Sequence, residues 1–229
     1  MIICTRAPER RRATDMIWNL PNTLTWLRIF AIPLVIVLFY LPGGWADPAA
    51  GLLFALAGIT DSLDGYFARK MGQTSRLGAF LDPVADKLIV AVALVLLLSK
   101  EMPNIVVPGL EALDGARYTL RKESVQVILV LTAVIIIGRE IAISALREWM
   151  AEIGKRGKVK VSQLAKYKTI LQIVGLSCML FRWSLPIAPG FSIPVFEIGL
   201  VLTIIAAVLT LISAIAYLRA AWPDLRSPT

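Results

Sequence analysis

The sequence predicts an all-α integral membrane protein with six transmembrane helices and a short N-terminal interfacial helix. Three observations predict this class: 57% of the 229 residues are hydrophobic, only 17% are charged, and the mean hydropathy is +0.72. A soluble domain of this length would be about half apolar and a quarter charged. Lipid, rather than water, is therefore expected to solvate much of the surface.

Six apolar runs are long enough to cross a bilayer, whose hydrocarbon core takes roughly 20 helical residues. They lie at 24–41, 48–68, 78–98, 124–146, 164–183 and 194–218. Turn-forming residues separate them, such as Pro42 and Gly43 after the first run and Pro194 before the sixth. We find no internal repeat, so residues 24–229 are predicted to form a single transmembrane domain.

Residues 1–23 precede the first span as a basic arm. Within it, segment 12–23 interleaves Met16, Ile17, Trp18 and Leu20 with polar residues. This pattern predicts a short interfacial helix with Trp18 at the level of the lipid headgroups. A disordered basic leader is the alternative for residues 1–12.

The distribution of basic residues predicts the orientation, because cytoplasmic loops carry the excess of Lys and Arg. Basic residues concentrate in the N-terminal arm, in 69–76, in the 147–168 connection and in the C-terminal tail. The other side carries fewer of them, namely Lys100, Arg117, Arg121, Lys122 and Arg182. Both termini are therefore predicted to be cytoplasmic.

The composition excludes several kinds of chemistry. The chain has no histidine, which removes histidine general bases, Ser-His-Asp triads and histidine-ligated zinc. Only two cysteines occur, Cys4 and Cys178, so no disulfide framework is expected. The net charge of +8 suits anionic lipids and anionic substrates. Catalysis would have to use carboxylates, basic side chains or metal ions.

Four aspartates stand near the ends of two predicted spans, where charge is costly. Asp61 and Asp64 close the second span, and Asp82 and Asp86 open the third. Spacings of three and four residues place each pair on one helix face, at about the same depth in antiparallel neighbours. Such an all-oxygen cage favours two Mg²⁺ or Mn²⁺ ions. The alternative is a set of interfacial acids paired with nearby bases, namely Arg69, Lys70, Arg76 and Lys87.

The spacing Asp61-x-x-Asp64-Gly65-x-x-Ala68-Arg69, followed by Gly78-x-x-x-Asp82-x-x-x-Asp86, resembles the motif of the CDP-alcohol phosphatidyltransferase family. The resemblance implies a six-helix membrane enzyme, typically a homodimer, whose site opens to the cytoplasm. Such enzymes transfer a phosphatidyl group from a CDP-lipid to an alcohol and release CMP. The resemblance also implies a multi-pass protein of the bacterial cytoplasmic membrane.

The resemblance implies roles for individual residues. Asp61, Asp64 and Asp82 correspond to metal ligands, and Asp86 to the residue nearest the nucleophile, acting as general base or as a further ligand. The positions expected to bind the CDP-lipid are Gly65, Ala68, Arg69 and Gly78 of the motif, together with Asn22 and Thr25 before it.

A second region, from Asn19 to Arg28 and from Arg139 to Thr169, resembles the branch of the family whose acceptor is sn-glycerol 3-phosphate. CDP-diacylglycerol and sn-glycerol 3-phosphate are then the expected substrates. A phosphate dianion needs basic partners. The candidates are Arg139, Arg147, Lys166 and Lys168. For Arg139 the alternative is a structural ion pair with Glu140 or another buried acid, and for the other three it is simple positive-inside charge.

Two alternative functions remain at this point. A sister enzyme could use another acceptor, as in cardiolipin synthesis or phosphatidylinositol phosphate synthesis. A small cation transporter could also carry intramembrane acids.

Aromatic residues of the spans, including Trp183 and Tyr217, are interpreted as packing residues or interfacial anchors.

Overall fold

The structure is a computed structural model, which describes residues 20–71, 76–111, 117–155, 163–188 and 191–226. In these ranges six helices follow one another. They are α1 (Leu20–Tyr40), α2 (Ala46–Met71), α3 (Arg76–Ser99), α4 (Lys122–Glu152), α5 (Gln163–Phe181) and α6 (Val195–Arg226). Each of the six predicted spans therefore falls on a helix. Residues 1–19 of the basic arm, with most of the predicted interfacial helix, lie outside the described residues, and residues 20–23 belong to α1.

The prediction of an all-α fold does not account for two β-hairpins that connect helices. Strands β1 (Ile105–Glu111) and β2 (Arg117–Leu120) form an antiparallel hairpin between α3 and α4. A second hairpin joins α5 to α6 and consists of β3 (Leu185–Ala188) and β4 (Phe191–Ile193). Both hairpins lie between predicted spans, where the sequence predicts only connecting loops. Strands of three to seven residues are too short to give a clear alternating pattern.

Three helices contain stretches that are long and apolar enough to cross a membrane within the described residues: Thr23–Tyr40, Lys122–Glu152 and Val195–Asp224. Ala46–Thr60 and Tyr167–Phe181 are shorter apolar helical stretches. The outer surface of the bundle is correspondingly apolar. Leu27, Phe30 and Val134 are each more than half exposed, as expected for side chains that contact lipid. The chain is thus built as a membrane protein.

The core lies between the helices and is made of large apolar side chains such as Phe39, Phe54, Leu97 and Leu129. Helix α5 packs against α2, α3 and α6, while α1 packs against α2 and α3. Glycines permit the closest of these approaches. A Cβ atom added to Gly199 of α6 would lie 2.6 Å from the backbone oxygen of Gly175 of α5. The backbones of α5 and α6 therefore touch without intervening side chains.

Candidate functional site

Two of the predicted aspartates project from one face of α3 toward α1. Thr25 Oγ1 donates a hydrogen bond of 2.5 Å to Asp82 Oδ1. One helical turn further along both helices, Arg28 forms an ion pair with Asp86 through its Nη1. The two contacts follow the same order along α1 and α3. These helices therefore run in parallel here, with a matched register of polar residues.

The local sequence of α1 explains why its polar residues face inward. Thr25 and Arg28 are three residues apart and are both 2% exposed, whereas Leu27 and Phe30 on the other side of the helix are 59% and 67% exposed. A helix that places its apolar residues toward lipid must turn its few polar residues toward protein. In α3 the carboxylates then serve as the partners that these buried groups require.

The other residues of the predicted aspartate site are described only by their backbone. Asp61, Asp64, Gly65, Ala68 and Arg69 lie in α2, and Gly78 lies in the first turn of α3. Their side chains lie outside the described part of the structure, as does that of Asn22 in α1. The backbone is helical at 61–69 and at 78–86. The predicted pairing of the four aspartates depends on helices at these positions.

A cavity of about 180 Å³ opens beside Asp86. It has room for several water molecules or a small polar molecule. Five helices contribute to its wall. Polar side chains form one part of it, namely Arg28, Asp86, Lys87, Glu140, Thr169 and Gln172, and apolar residues of α2, α3 and α5 form the rest. The cavity thus combines charged groups of both signs with an apolar wall.

Glu140 connects this cavity to two of the predicted acceptor-binding residues. Its Oε1 accepts hydrogen bonds from Arg139 Nη1 at 2.8 Å and from Lys168 Nζ at 2.9 Å. Arg139 and Lys168 are 8% and 5% exposed. The structural ion pair of Arg139 with Glu140, which the sequence leaves open as the alternative to acceptor binding, is therefore present. Lys168 is also buried, so the alternative that it is simply a positive charge at the cytoplasmic membrane surface is wrong for this residue.

Arg147 and Arg139 both approach one aromatic ring on α6. The Cζ atoms of Arg139 and Arg147 lie 5.8 Å and 5.3 Å from the centroid of Tyr217, and Arg147 Nη2 also donates to the Tyr217 hydroxyl at 3.3 Å. Arg139 Nη2 donates to Ser213 Oγ at 3.2 Å. Three of the four predicted acceptor-binding residues thus form one connected basic cluster: Arg139, Arg147 and Lys168. The side chain of the fourth, Lys166, lies outside the described residues.

Sequence reasoning did not assign site roles to several residues that the structure brings to these clusters. The sequence assigns Arg28 no site role, although an arginine three residues after Thr25 in an apolar helix is a usable signal. Glu140 was considered only as an ion-pair partner of Arg139. Ser213 and Tyr217 gave no signal beyond packing, because a serine and a tyrosine in an apolar helix are common.

Comparison with known proteins adds an independent finding. A sequence model described as CDP-alcohol phosphatidyltransferase matches residues 18–212. Three curated proteins from Pseudomonas fluorescens, Salmonella choleraesuis and Shigella flexneri serotype 5b are 44%, 44% and 43% identical to this chain over 210 residues. The alignments cover 91–92% of this chain and 93–98% of the relatives. Each relative is named CDP-diacylglycerol–glycerol-3-phosphate 3-phosphatidyltransferase.

Proposed function

Since this chain belongs to the CDP-alcohol phosphatidyltransferase family, we propose that it transfers the phosphatidyl group of CDP-diacylglycerol to sn-glycerol 3-phosphate. The products are phosphatidylglycerophosphate and CMP. The observation that carries this proposal is the 44% identity, over 91% of the chain, with a relative that bears the name of this activity. Such relatives favour glycerol 3-phosphate over the acceptors of cardiolipin and phosphatidylinositol phosphate synthesis.

The reaction is a displacement at phosphorus. An oxygen of the acceptor hydroxyl attacks the phosphorus next to the lipid glycerol, the bond from that phosphorus to the oxygen of CMP breaks, and CMP leaves with the bonding electrons. The proton of the hydroxyl passes to Asp86 if this carboxylate acts as general base, and to water if Asp86 instead orients the nucleophile as a ligand. The position of Asp86 on the wall of the cavity supports this role, because the acceptor can reach it there.

Asp61, Asp64, Asp82 and Asp86 are proposed to hold two divalent ions, Mg²⁺ or Mn²⁺. The chemistry of the donors fits such ions. Asp82 and Asp86, which Thr25 and Arg28 contact, offer carboxylate oxygens, and the chain has no histidine. When bound, the ions would neutralise charge on the transferring phosphate and on the leaving CMP. Thr25 and Arg28 hold Asp82 and Asp86 in place for this purpose.

The CDP-lipid is proposed to lie along the motif on α2 and α3. Gly65, Ala68, Arg69 and Gly78 are the residues assigned to it there. Asn22 and Thr25 of α1 are assigned to the same substrate, and the contact of Thr25 with Asp82 supports their proximity to the aspartates.

The acceptor phosphate is proposed to bind the basic cluster of Arg139, Arg147 and Lys168, with Lys166 beside it. Two cations, Arg139 and Lys168, share one carboxylate oxygen of Glu140, so a net positive charge remains for a dianion. Glu140, which accepts hydrogen bonds from two members of the cluster, lines the same cavity as Asp86, and this supports placing the acceptor between the cluster and the general base.

We further propose that all six helices cross the bacterial cytoplasmic membrane, with both termini and the site on the cytoplasmic side, and that the enzyme is a homodimer. The excess of basic residues near the N-terminal end of α1 and in the 147–168 connection supports this orientation. It would bring the aspartates and the basic cluster to the side on which glycerol 3-phosphate is available.

The decisive experiment uses the purified full-length chain in mixed micelles with CDP-diacylglycerol and Mg²⁺. We expect radiolabelled sn-glycerol 3-phosphate to enter the lipid fraction with one CMP released for each acceptor consumed. Unlabelled phosphatidylglycerol or inositol phosphate should not compete. Transfer to either of these acceptors in preference to glycerol 3-phosphate would overturn the assignment of the acceptor. Cation flux in liposomes without any transfer would support the transporter instead.

A further inference from the structure

Two polar residues of α6, Ser213 and Tyr217, face the basic cluster from the opposite helix. They lie one helical turn apart and are 4% and 5% exposed. The helix carries no charged residue between Glu197 and Arg219, so these two side chains are among the few polar groups that it can offer. Helix α6 packs against α4, which holds Arg139 and Arg147.

Each of the two residues presents an acceptor to an arginine. Ser213 Oγ donates its own proton to the carbonyl oxygen of Thr210 at 2.9 Å, which leaves its lone pairs for Arg139 Nη2. The hydroxyl oxygen of Tyr217 accepts from Arg147 Nη2. The ring of Tyr217 lies within cation–π distance of both guanidinium groups.

The partners on α6 are neutral, and this distinguishes them from Glu140. A carboxylate fixes an arginine but cancels its charge, whereas a hydroxyl or an aromatic ring fixes it and leaves the charge in place. Two guanidinium groups on one helix also repel each other, and both side chains are long and flexible. A rigid ring in contact with both restricts their motion without neutralising them. This is the arrangement that an anion-binding site needs.

Arg139 retains a donor for such an anion. Its Nη1 and Nη2 atoms bond to Glu140 and Ser213, but its buried Nε has no hydrogen-bond partner among the residues that the structure describes. A buried N–H without a partner is costly and is usually satisfied by a ligand or by water. A phosphate oxygen would satisfy it with a charge-assisted bond.

We propose that Tyr217 and Ser213 are positioning residues that hold Arg139 and Arg147 for the phosphate of the acceptor. The inference rests on the proposed function, since it presumes that these arginines bind that phosphate. It assigns to α6, which carries none of the motif residues, a part in selecting the acceptor. It predicts that substitutions at Tyr217 change the KM for glycerol 3-phosphate and leave the KM for CDP-diacylglycerol unchanged.

The test measures kcat and KM for both substrates with the purified full-length enzyme. Tyr217→Phe removes only the hydroxyl, and we expect it to raise the KM for glycerol 3-phosphate about tenfold, since it deletes a hydrogen bond to a charged group. The KM for CDP-diacylglycerol and kcat should stay within about twofold of wild type because neither depends on that bond. Ser213→Ala should act in the same direction. Thr210→Val is the matched control, since the buried hydroxyl of Thr210 has no partner among the described residues.

A double-mutant cycle separates positioning from general packing. If Tyr217 acts through Arg147, adding Tyr217→Phe to Arg147→Met should raise the KM for glycerol 3-phosphate no further. Equal changes in both KM values, or the same change in Thr210→Val, would overturn the inference. If Arg147→Met raises this KM but Tyr217→Phe does not, the inference alone fails. If neither Arg147→Met nor Arg139→Met changes it, the proposed acceptor site fails as well.

Discussion

Arg28 of α1 forms an ion pair with Asp86 of α3, and the guanidinium is almost completely buried while the carboxylate remains about half exposed. The pair joins the first helix of the bundle to the residue that we propose as general base. It also places a fixed positive charge at the edge of the cavity. Asp86 is thereby held in one orientation while one side of it stays open to a substrate.

We expect Arg28→Met to lower kcat about 10- to 100-fold, because one hydrogen bond to a charged group fixes the proposed base. The fold should survive, since the carboxylate that Arg28 contacts is about half exposed and can be solvated. Arg28→Lys, which keeps the charge, should recover part of the rate. A wild-type kcat for Arg28→Met, measured in the transfer assay, would show that Arg28 does not orient Asp86.

Asp86→Asn preserves the shape of the side chain and an oxygen acceptor for Arg28 but removes the charge. We expect loss of turnover by about 10²- to 10⁴-fold, the range for loss of a general base. Binding of CDP-diacylglycerol, measured by equilibrium dialysis of the labelled lipid in micelles, should be retained. Unchanged turnover would defeat the assignment of Asp86.

Exhaustive chelation should abolish transfer, and either Mg²⁺ or Mn²⁺ should restore it, because the proposed ligands are all carboxylates. Asp82→Asn should raise the metal concentration that gives half of the maximal rate. Both effects are measured by titrating the chelated enzyme with each ion. Full activity of the chelated enzyme would contradict a metal-assisted reaction.

Glu140 is the only acceptor that Arg139 and Lys168 share among the described residues. Glu140→Leu should lower the free energy of unfolding by about 1.5–3 kcal/mol, since it removes bonds to two buried cations. Glu140→Gln keeps one oxygen acceptor and should cost less. The apparent unfolding temperature in detergent, followed by tryptophan fluorescence, measures both changes. Glu197→Leu is the control, because it removes a carboxylate from α6 that forms no ion pair with the residues that the structure describes.

Two glycines are expected to respond in opposite ways to substitution by alanine, because of the two only Gly199 lies at the close contact of α5 and α6. Gly199→Ala should destabilise the protein by about 1–3 kcal/mol, because its Cβ would meet backbone atoms of α5 at 2.6–2.8 Å. Gly138→Ala of α4 should be neutral or stabilising by up to about 1 kcal/mol, since no atom lies within 4 Å of the added Cβ. Equal unfolding temperatures for the two variants would refute this packing.

Several features of the fold and site were predictable from local sequence. The six helices follow from apolar runs of bilayer length, because lipid gives the backbone no alternative to internal hydrogen bonding. The placement of Asp82 and Asp86 on one face of α3 follows from their spacing, and so does the common direction of Arg139 and Arg147 on α4. The two hairpins were not predictable, since short strands leave no periodic signal.

The sequence by itself determined the class of the protein, the helices, and the charged residues that such helices could not bury without partners. Only the tertiary structure decided which partners they have. Arg28 meets Asp86, Lys168 meets Glu140, and Tyr217 meets two arginines across distances of 28 to 78 residues along the chain. The physical reason is that periodicity reports which face of a helix is polar, whereas the residues of other helices that lie against that face depend on how the helices pack.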